Sequence, residues 1–217
     1  GPAGLMAAEV LAQAGIRTGV HDAMPSAGRK FLMAGKGGLN ITHAEAFEDF
    51  VARYGARRAQ IEPLLQAFSP DALRRWLHGL GVETFVGSSG RVFPEEMKAA
   101  PLLRSWLHRL REQGVTFHLR RRWLGWDESG LLRFATPEGE SRISADAPVL
   151  ALGGASWPQL GSDGAWAALL AARGIPLPPL RPANCGFDIG WSDHFRQRYA
   201  GAPLKSIAAC FGNLRRN

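Results

Sequence analysis

Two glycines at the start of the chain have the spacing of a phosphate-binding turn. The sequence opens Gly1-Pro2-Ala3-Gly4 and continues into an apolar stretch, which matches the second half of the G-x-G-x-x-G motif. Gly1 would let a pyrophosphate approach the backbone, and Gly4 would let the following helix pack closely on a strand. The free N–H groups of the first helical turn would then face the phosphates. A capped surface helix without a ligand is the alternative interpretation.

An aspartate follows at a distance that suits the ribose of a dinucleotide. Asp22 ends a short segment of strand character, 17–22, and lies 18 residues after Gly4. In dinucleotide-binding folds, an acidic residue about 20 residues beyond the glycines binds the ribose hydroxyls. The glycines and the aspartate together therefore favour dinucleotide binding over an unliganded surface helix.

A second loop combines cations with glycines. Arg29 and Lys30 precede a glycine-rich stretch that contains Gly37, Asn40 and Thr42. Thr42 and Glu45 are three residues apart, as in a capping box, so a helix is expected to begin there. Positive side chains followed by glycines and a helix start suit a phosphate-facing loop. A solvated surface loop is the alternative interpretation.

A third candidate segment lies much later in the chain. Residues 149–152 form a continuous apolar run, which is typical of a buried parallel strand, and the run ends at Gly153 and Gly154. A cofactor can lie against such a turn at the carboxyl edge of a sheet. A tight strand-to-loop turn without a ligand explains the same residues.

The composition is that of a folded globular chain. Of the 217 residues, 46% are hydrophobic and 21% are charged, which excludes disordered and collagen-like proteins. The net charge of +7 suggests affinity for anions without identifying nucleic acid. Neither the two cysteines, Cys185 and Cys210, nor the six histidines have metal-ligand spacing, so we predict no metal site. Cysteine usage and the absence of an apolar run of about 18 residues predict a cytoplasmic protein without a transmembrane helix.

Hydrophobic periodicity predicts the elements that must position these residues. A helical stripe covers the first fifteen residues, before the strand 17–22. Similar stripes, with Trp76 and Trp106 on buried faces, predict further helices at 44–54, 70–80, 101–113 and 163–173. Alternating patterns predict short strands at 82–85, 91–93, 115–119, 121–126, 131–135 and 141–143. We therefore expect an α/β fold in which the strands 17–22 and 149–152 are parallel and residues 115–143 form an antiparallel patch.

Five segments, taken in order, carry a resemblance to a known family. They are G-P-A-G-L-M-A-A-E, D-A-M-P-S-A-G-R-K-F-L, A-G-K-G-G-L-N-I-T-H, G-R-V-F-P with Lys98-Ala99, and L-A-L-G-G-A-S-W-P-Q-L-G-S-D-G. Over about residues 1 to 210 the chain resembles the BaiN/RdsA family of FAD-dependent oxidoreductases. The resemblance implies a Rossmann-like FAD-binding domain of glutathione-reductase type, with a helical lobe, a small antiparallel sheet and a second domain inserted late in the chain.

The resemblance also implies a division into domains. Residues 1–43 and 115–182 would form the FAD-binding domain, 44–114 the helical lobe, and 183–217 the incomplete beginning of an inserted substrate domain. Both ends of the chain look cut, and the first strand and the closing segment of the family fold have no counterpart. We therefore expect the 217 residues alone to bind FAD weakly or not at all and to be inactive.

Site residues follow from the same resemblance. It implies FAD contacts at the turn Gly1-Pro2-Ala3-Gly4, at Asp22, and at Arg29, Lys30, Gly37, Asn40, Thr42, Gly153 and Gly154. Many relatives read G-G-G-R-C-N where this chain has Gly38 and Leu39 in place of arginine and cysteine. Thiol chemistry and an arginine contact are therefore not carried over to those two positions.

The implied reaction is a reduction. NAD(P)H would pass hydride through the flavin to an activated C=C bond of an unknown substrate, since the family acts on a steroid in one branch and on a uracil of ribosomal RNA in another. The substrate is accordingly expected to be a small molecule or an RNA base, and the sequence does not indicate an oligomeric state. A competing hypothesis is an RNA-binding protein, because Arg120-Arg121-Arg122 stands beside Trp123 and Trp126. A strand with one solvated face is the alternative interpretation of that stretch and the one that we favour.

Overall fold

The computed structural model describes residues 1–34, 37–181, 189–202 and 208–216. The chain divides into two compact units, Gly1–Leu180 and Arg181–Asn217. The domain boundaries expected from the sequence are finer than this division and stay predictions.

The first unit begins with the predicted helix and strand. Helix α1 spans Pro2–Gln13 and is capped by Gly1. Proline suits the first helical position because its missing N–H would have no partner there. Gly15, with a φ of +76°, ends the helix in the left-handed conformation that glycine adopts without strain. Strand β1, Gly19–Asp22, follows and places Asp22 at its carboxyl end, as predicted.

The parallel partner of β1 differs from the prediction. The partner strand lies at Thr116–Leu119, with Gly19 opposite Thr116 and Asp22 opposite Leu119. The expected pairing with residues 149–152 is wrong, because these residues form no strand and Val149 is 61% exposed. An apolar run indicates a tendency to be buried, but a strand also needs a hydrogen-bonded neighbouring strand. In the described part of the chain, no strand is hydrogen-bonded to residues 149–152.

The first unit also contains helices beyond α1. They are α2 (Arg29–Ala34), α3 (Phe47–Ala52), α4 (Arg58–Ala67), α5 (Pro70–Gly79), α6 (Ala99–Glu112) and α7 (Trp166–Ala171). Helix α6 supplies Leu103, Trp106 and Leu110 to one buried cluster that includes Leu5 of α1. Its Leu102 belongs to a second cluster. Helix α6 therefore packs against α1 through one cluster and against α5 through the other.

Short antiparallel sheets complete the first unit. In one sheet, β2 (Thr42–His43), β3 (Thr84–Val86) and β4 (Arg91–Pro94) lie in the order β2-β4-β3. The strand Thr116–Leu119 is β5, and β6 (Arg122–Trp126), β7 (Leu132–Thr136) and β8 (Gly139–Ile143) form a meander. The antiparallel patch is therefore confirmed from residue 122 onward, whereas β5 belongs to the parallel pair.

The predicted capping box at Thr42 is wrong. Thr42 pairs with Val92 across the small sheet, and the next helix begins at Phe47 without a side-chain cap. The backbone N–H of Ile41 also donates to the carbonyl of Val92 at 2.9 Å. These ladder bonds hold the backbone of Thr42 extended, and a tertiary contact thus overrides a local helix signal.

The second unit contains one helix and one hairpin among its described residues. Helix α8 spans Asp193–Tyr199, and the Ser192 hydroxyl caps it by accepting the N–H of Phe195. Strands β9 (Ala209–Phe211) and β10 (Leu214–Arg216) pair in antiparallel fashion. No helix in the described ranges is long and apolar enough to cross a membrane.

Two histidines stack where the parallel pair meets the meander. His21 of β1 lies opposite His118 of β5, and their ring centroids are 4.5 Å apart. Phe134 stacks against His21 at 4.7 Å. Burial, followed by the positive charges of His118 and Arg121, lowers the pKa of His21 from 6.5 to about 4. The neutral imidazole is thus the form that this packing favours.

This lowered pKa predicts a pH-dependent stability. Between pH 6.5 and about 4 the unfolded chain binds a proton at His21 that the folded chain does not, so the free energy of unfolding decreases as the pH falls through this window. Urea unfolding at several pH values measures the effect. The His21→Phe variant keeps an aromatic ring in the stack and should show a shallower pH dependence, whereas His108→Gln, on the exposed face of α6, should behave like the wild type. An unchanged slope in His21→Phe would contradict the assignment.

Candidate dinucleotide-binding site

The first turn of α1 presents free backbone donors beside open space. The Gly1 carbonyl accepts the N–H of Leu5 at 3.1 Å, so the N–H groups of Ala3 and Gly4 precede the first helical hydrogen bond. A Cβ at Gly1 would meet no atom of the described residues within 4 Å, whereas a Cβ at Gly4 would lie 3.3 Å from that of Ala151. Gly4 therefore permits the close approach of the segment that leads to Gly153, and Gly1 leaves room for a ligand.

Asp22 is the second element of the site. One carboxylate oxygen, Oδ2, lies 3.9 Å from the backbone nitrogen of Gly1. The other, Oδ1, accepts the N–H of Met24 at 2.9 Å and orders the turn after β1. The side chain is 17% exposed. The structure thus brings the predicted glycine turn and the predicted ribose acid together.

Lys30 connects this region to the late glycine loop. Its Nζ donates to the hydroxyl of Ser156 at 2.7 Å and to that of Ser162 at 3.2 Å. The Ser162 Oγ lies 3.6 Å from where a Cβ at Gly153 would be and 4.0 Å from one at Gly154. The second loop, through Lys30, therefore contacts the late glycine loop that contains Gly153 and Gly154.

The turn after β1 also packs directly on the late loop. Gly161 has a φ of +84°, and a Cβ there would lie 3.0 Å from the Cγ of Met24. Ser162 and Trp157 exchange two backbone hydrogen bonds of 3.1 Å, which close the loop. The loop is thereby anchored against the carboxyl end of β1.

Sequence reasoning missed the two serines that bind Lys30. Both belong to the G-G-A-S-W-P-Q-L-G-S-D-G segment, in which the sequence predicts cofactor contacts for Gly153 and Gly154 alone. The hydrogen bond from Lys30 to Ser162 spans 132 residues. Serines in a glycine-rich loop were the visible signal, but their common partner depends on tertiary contacts.

The other predicted residues of the second loop have different surroundings. Arg29 is exposed and its Nε donates to Ser26 at 3.0 Å. Gly37 is exposed, with nothing within 4 Å of a Cβ built there. Asn40 lines a cavity of about 140 Å³ beside the α5 and α6 side chains, and Thr42 is held in β2. Among the described residues, these contacts are separate from those of Lys30, so they do not connect the four residues to the glycine turn.

Leu39 occupies the position where many relatives carry cysteine. It is 3% exposed and packs with Leu77, Ala99 and Leu102. Its role in this chain is therefore to fill the core between α5 and α6.

Of the three arginines in the basic and aromatic stretch, Arg122 forms an ion pair with an acidic side chain of the described residues. Arg122 binds Asp163 at 2.8 Å, and Arg133 binds both carboxylate oxygens of Glu140 at 2.8 and 2.7 Å. The N–H of Ala165 and the Arg122 guanidinium lower the pKa of Asp163. Within the described ranges, no group of three or more His, Cys, Asp or Glu side chains could hold a metal ion.

Comparison with known proteins identifies the family. The model of the HI0933-like protein Rossmann domain matches residues 1–201. This chain belongs to the HI0933-like family. The predicted resemblance to the BaiN/RdsA-type FAD-dependent oxidoreductases is thus confirmed, as is the Rossmann-like, mixed α/β class of this domain.

A curated relative extends the comparison. The HI0933-like chain is 30% identical, over 158 residues, to the 3-dehydro-bile acid delta(4,6)-reductase of Clostridium scindens. The match covers 72% of this chain and 37% of that reductase. The chain therefore spans little more than a third of the relative's length.

The residues of this HI0933-like domain suit the family's cofactor, FAD. Gly1 leaves open space in front of free N–H groups, and Asp22 offers a carboxylate beside them. The Lys30 ammonium has hydroxyl partners and forms no ion pair with a carboxylate of the described residues. A positive donor set beside a hydroxyl-binding acid matches the chemistry of a dinucleotide's pyrophosphate and ribose.

Proposed function

We propose that this chain forms the FAD-binding part of an oxidoreductase. The observation that carries the proposal is the meeting of Gly1, Asp22, Lys30 and the Gly153 loop at the carboxyl end of β1. Ligands of parallel sheets bind at this edge, where the strands end and the helices begin. Membership of the HI0933-like family supports FAD as the dinucleotide.

Each residue has a distinct role in this proposal. The first-turn N–H groups of Ala3 and Gly4, together with the positive end of the α1 dipole, bind the pyrophosphate. Asp22 accepts hydrogen bonds from ribose hydroxyls through the oxygen that does not bind Met24. Lys30 compensates phosphate charge, and Gly153 keeps the late loop close enough to cover the cofactor.

The reaction class follows from the relative and from the flavin. When bound, FAD would supply hydride transfer from NAD(P)H to an electron-poor C=C bond. The curated relative is named for reducing a 3-dehydro-bile acid, and we extend only the reduction of an activated C=C bond to this chain. The substrate in this proposal is a small molecule or an RNA base with such a bond.

The substitution Asp22→Asn tests the cofactor site. Asparagine keeps an Oδ1 acceptor for the N–H of Met24 but removes the negative charge that faces the ribose. A charged hydrogen bond contributes about 1 kcal/mol more than a neutral one, so we expect FAD binding to weaken roughly fivefold. The measurement is a titration of the apoprotein, expressed from its full reading frame, with FAD by flavin fluorescence.

The matched control is Asp146→Asn, at an exposed aspartate in the segment after β8. It should bind FAD like the wild type. A wild-type protein that purifies colourless and gives no FAD titration would overturn the proposed function. Equal affinities in all three proteins would remove Asp22 from the site.

A further inference from the structure

Ser162 occupies a fixed position in the late loop. Its side chain belongs to a residue that is only 4% exposed, and its backbone is bound in both directions to Trp157. Gly161, in the left-handed conformation, lets the loop approach the Met24 side chain closely. The Ser162 hydroxyl, which accepts a hydrogen bond from Lys30, is therefore fixed in place by contacts within the protein.

Two hydroxyl groups orient the Lys30 ammonium, but they do not balance its positive charge. A lysine side chain is flexible and loses about 2 kcal/mol of rotamer entropy when it is fixed in one position. Hydroxyls of Ser156 and Ser162 accept two of its three N–H groups and carry no charge to balance it. Within the part of the chain that the structure describes, the third N–H and the full positive charge are thus left for an anionic group.

We propose that Ser162, assisted by Ser156, is a positioning residue that holds the Lys30 ammonium for a phosphate of the bound dinucleotide. The inference rests on the proposed FAD binding. It assigns the serines no contact with the reacting atoms: they reduce the entropy that Lys30 would otherwise lose when the cofactor binds.

A double-mutant cycle with Ser162→Ala, Lys30→Met and the double variant tests this inference on the protein from the full reading frame. Ser162→Ala alone should weaken FAD binding roughly 3- to 10-fold, which corresponds to one hydrogen bond. In the Lys30→Met background, the same substitution should have no further effect, because no ammonium remains to be positioned. The readout is the dissociation constant of FAD from fluorescence titration, together with the urea midpoint of each apoprotein.

Controls separate the two proposals. Ser156→Ala removes the exposed hydroxyl and should weaken binding without disturbing the buried loop, and Ser88→Ala, in the exposed β3–β4 turn, should change nothing. If the wild type binds no FAD, the proposed function fails. If the wild type binds FAD but neither serine variant differs from it, only the positioning role fails. A Ser162→Ala penalty that persists in the Lys30→Met background would also overturn the role, since the serine would then act on the loop alone.

Discussion

Replacing Glu9 with leucine is expected to lower the free energy of unfolding by about 3–5 kcal/mol. Glu9 lies in α1, is 1% exposed, and accepts the indole N–H of Trp106 at 2.6 Å and that of Trp76 at 3.2 Å. Arg109 completes the cluster with a 3.1 Å ion pair. Leucine would leave two indole N–H groups without their acceptor in the core where α1, α5 and α6 meet. It would also remove the ion pair of Arg109, whose guanidinium would keep the carbonyl of Gly79 as an acceptor.

Urea unfolding at neutral pH measures this effect. Glu9→Gln keeps a carbonyl acceptor but loses the charge, so its unfolding free energy should lie between those of the wild type and the leucine variant. Glu112→Leu provides the matched control, because Glu112 is exposed on α6 and its partner His108 is exposed as well. We expect the control to remain within about 0.5 kcal/mol of the wild type. A Glu9→Leu protein as stable as the control would refute the role of the buried carboxylate.

The second large effect is expected at Gly28, directly before α2. Its φ is +75°, and a Cβ there would lie 2.8 Å from the Cδ2 and 2.9 Å from the Cδ1 of the buried Leu103. Alanine at this position combines about 1–2 kcal/mol of left-handed backbone strain with about 1–3 kcal/mol of overpacking. We therefore expect Gly28→Ala to reduce the unfolding free energy by about 2–5 kcal/mol.

The two contributions can be separated experimentally. Gly114 has a φ of +81°, and a Cβ there would meet no described atom within 4 Å, so Gly114→Ala reports the backbone strain alone. Leu103→Ala removes the obstructing methyl groups, and the Gly28→Ala, Leu103→Ala double variant should lose less stability than the sum of the single variants. Strict additivity, or equal losses at Gly28 and Gly114, would show that Leu103 does not crowd this glycine.

Local signals predicted the elements whose hydrogen bonds are local. The helix that begins after Gly1 and the hairpin of β3 and β4 depend on contacts between residues close in sequence. Alternation likewise predicted β6, β7 and β8, because short turns join these strands. The apolar run 149–152 and the capping box at Thr42 failed for the opposite reason, since both outcomes depend on distant backbone partners.

The sequence by itself determined the family, the glycine turn at the start of α1, and the place of Asp22 at the end of β1, because motif spacing and local periodicity specify these features. Only the tertiary structure decided which side chains complete the site and the core. Lys30 meets Ser162 across 132 residues, and Trp106 reaches Glu9 across 97. Such contacts carry no periodic signal, since a hydrogen bond between distant residues forms only after packing has placed its donor and acceptor side by side.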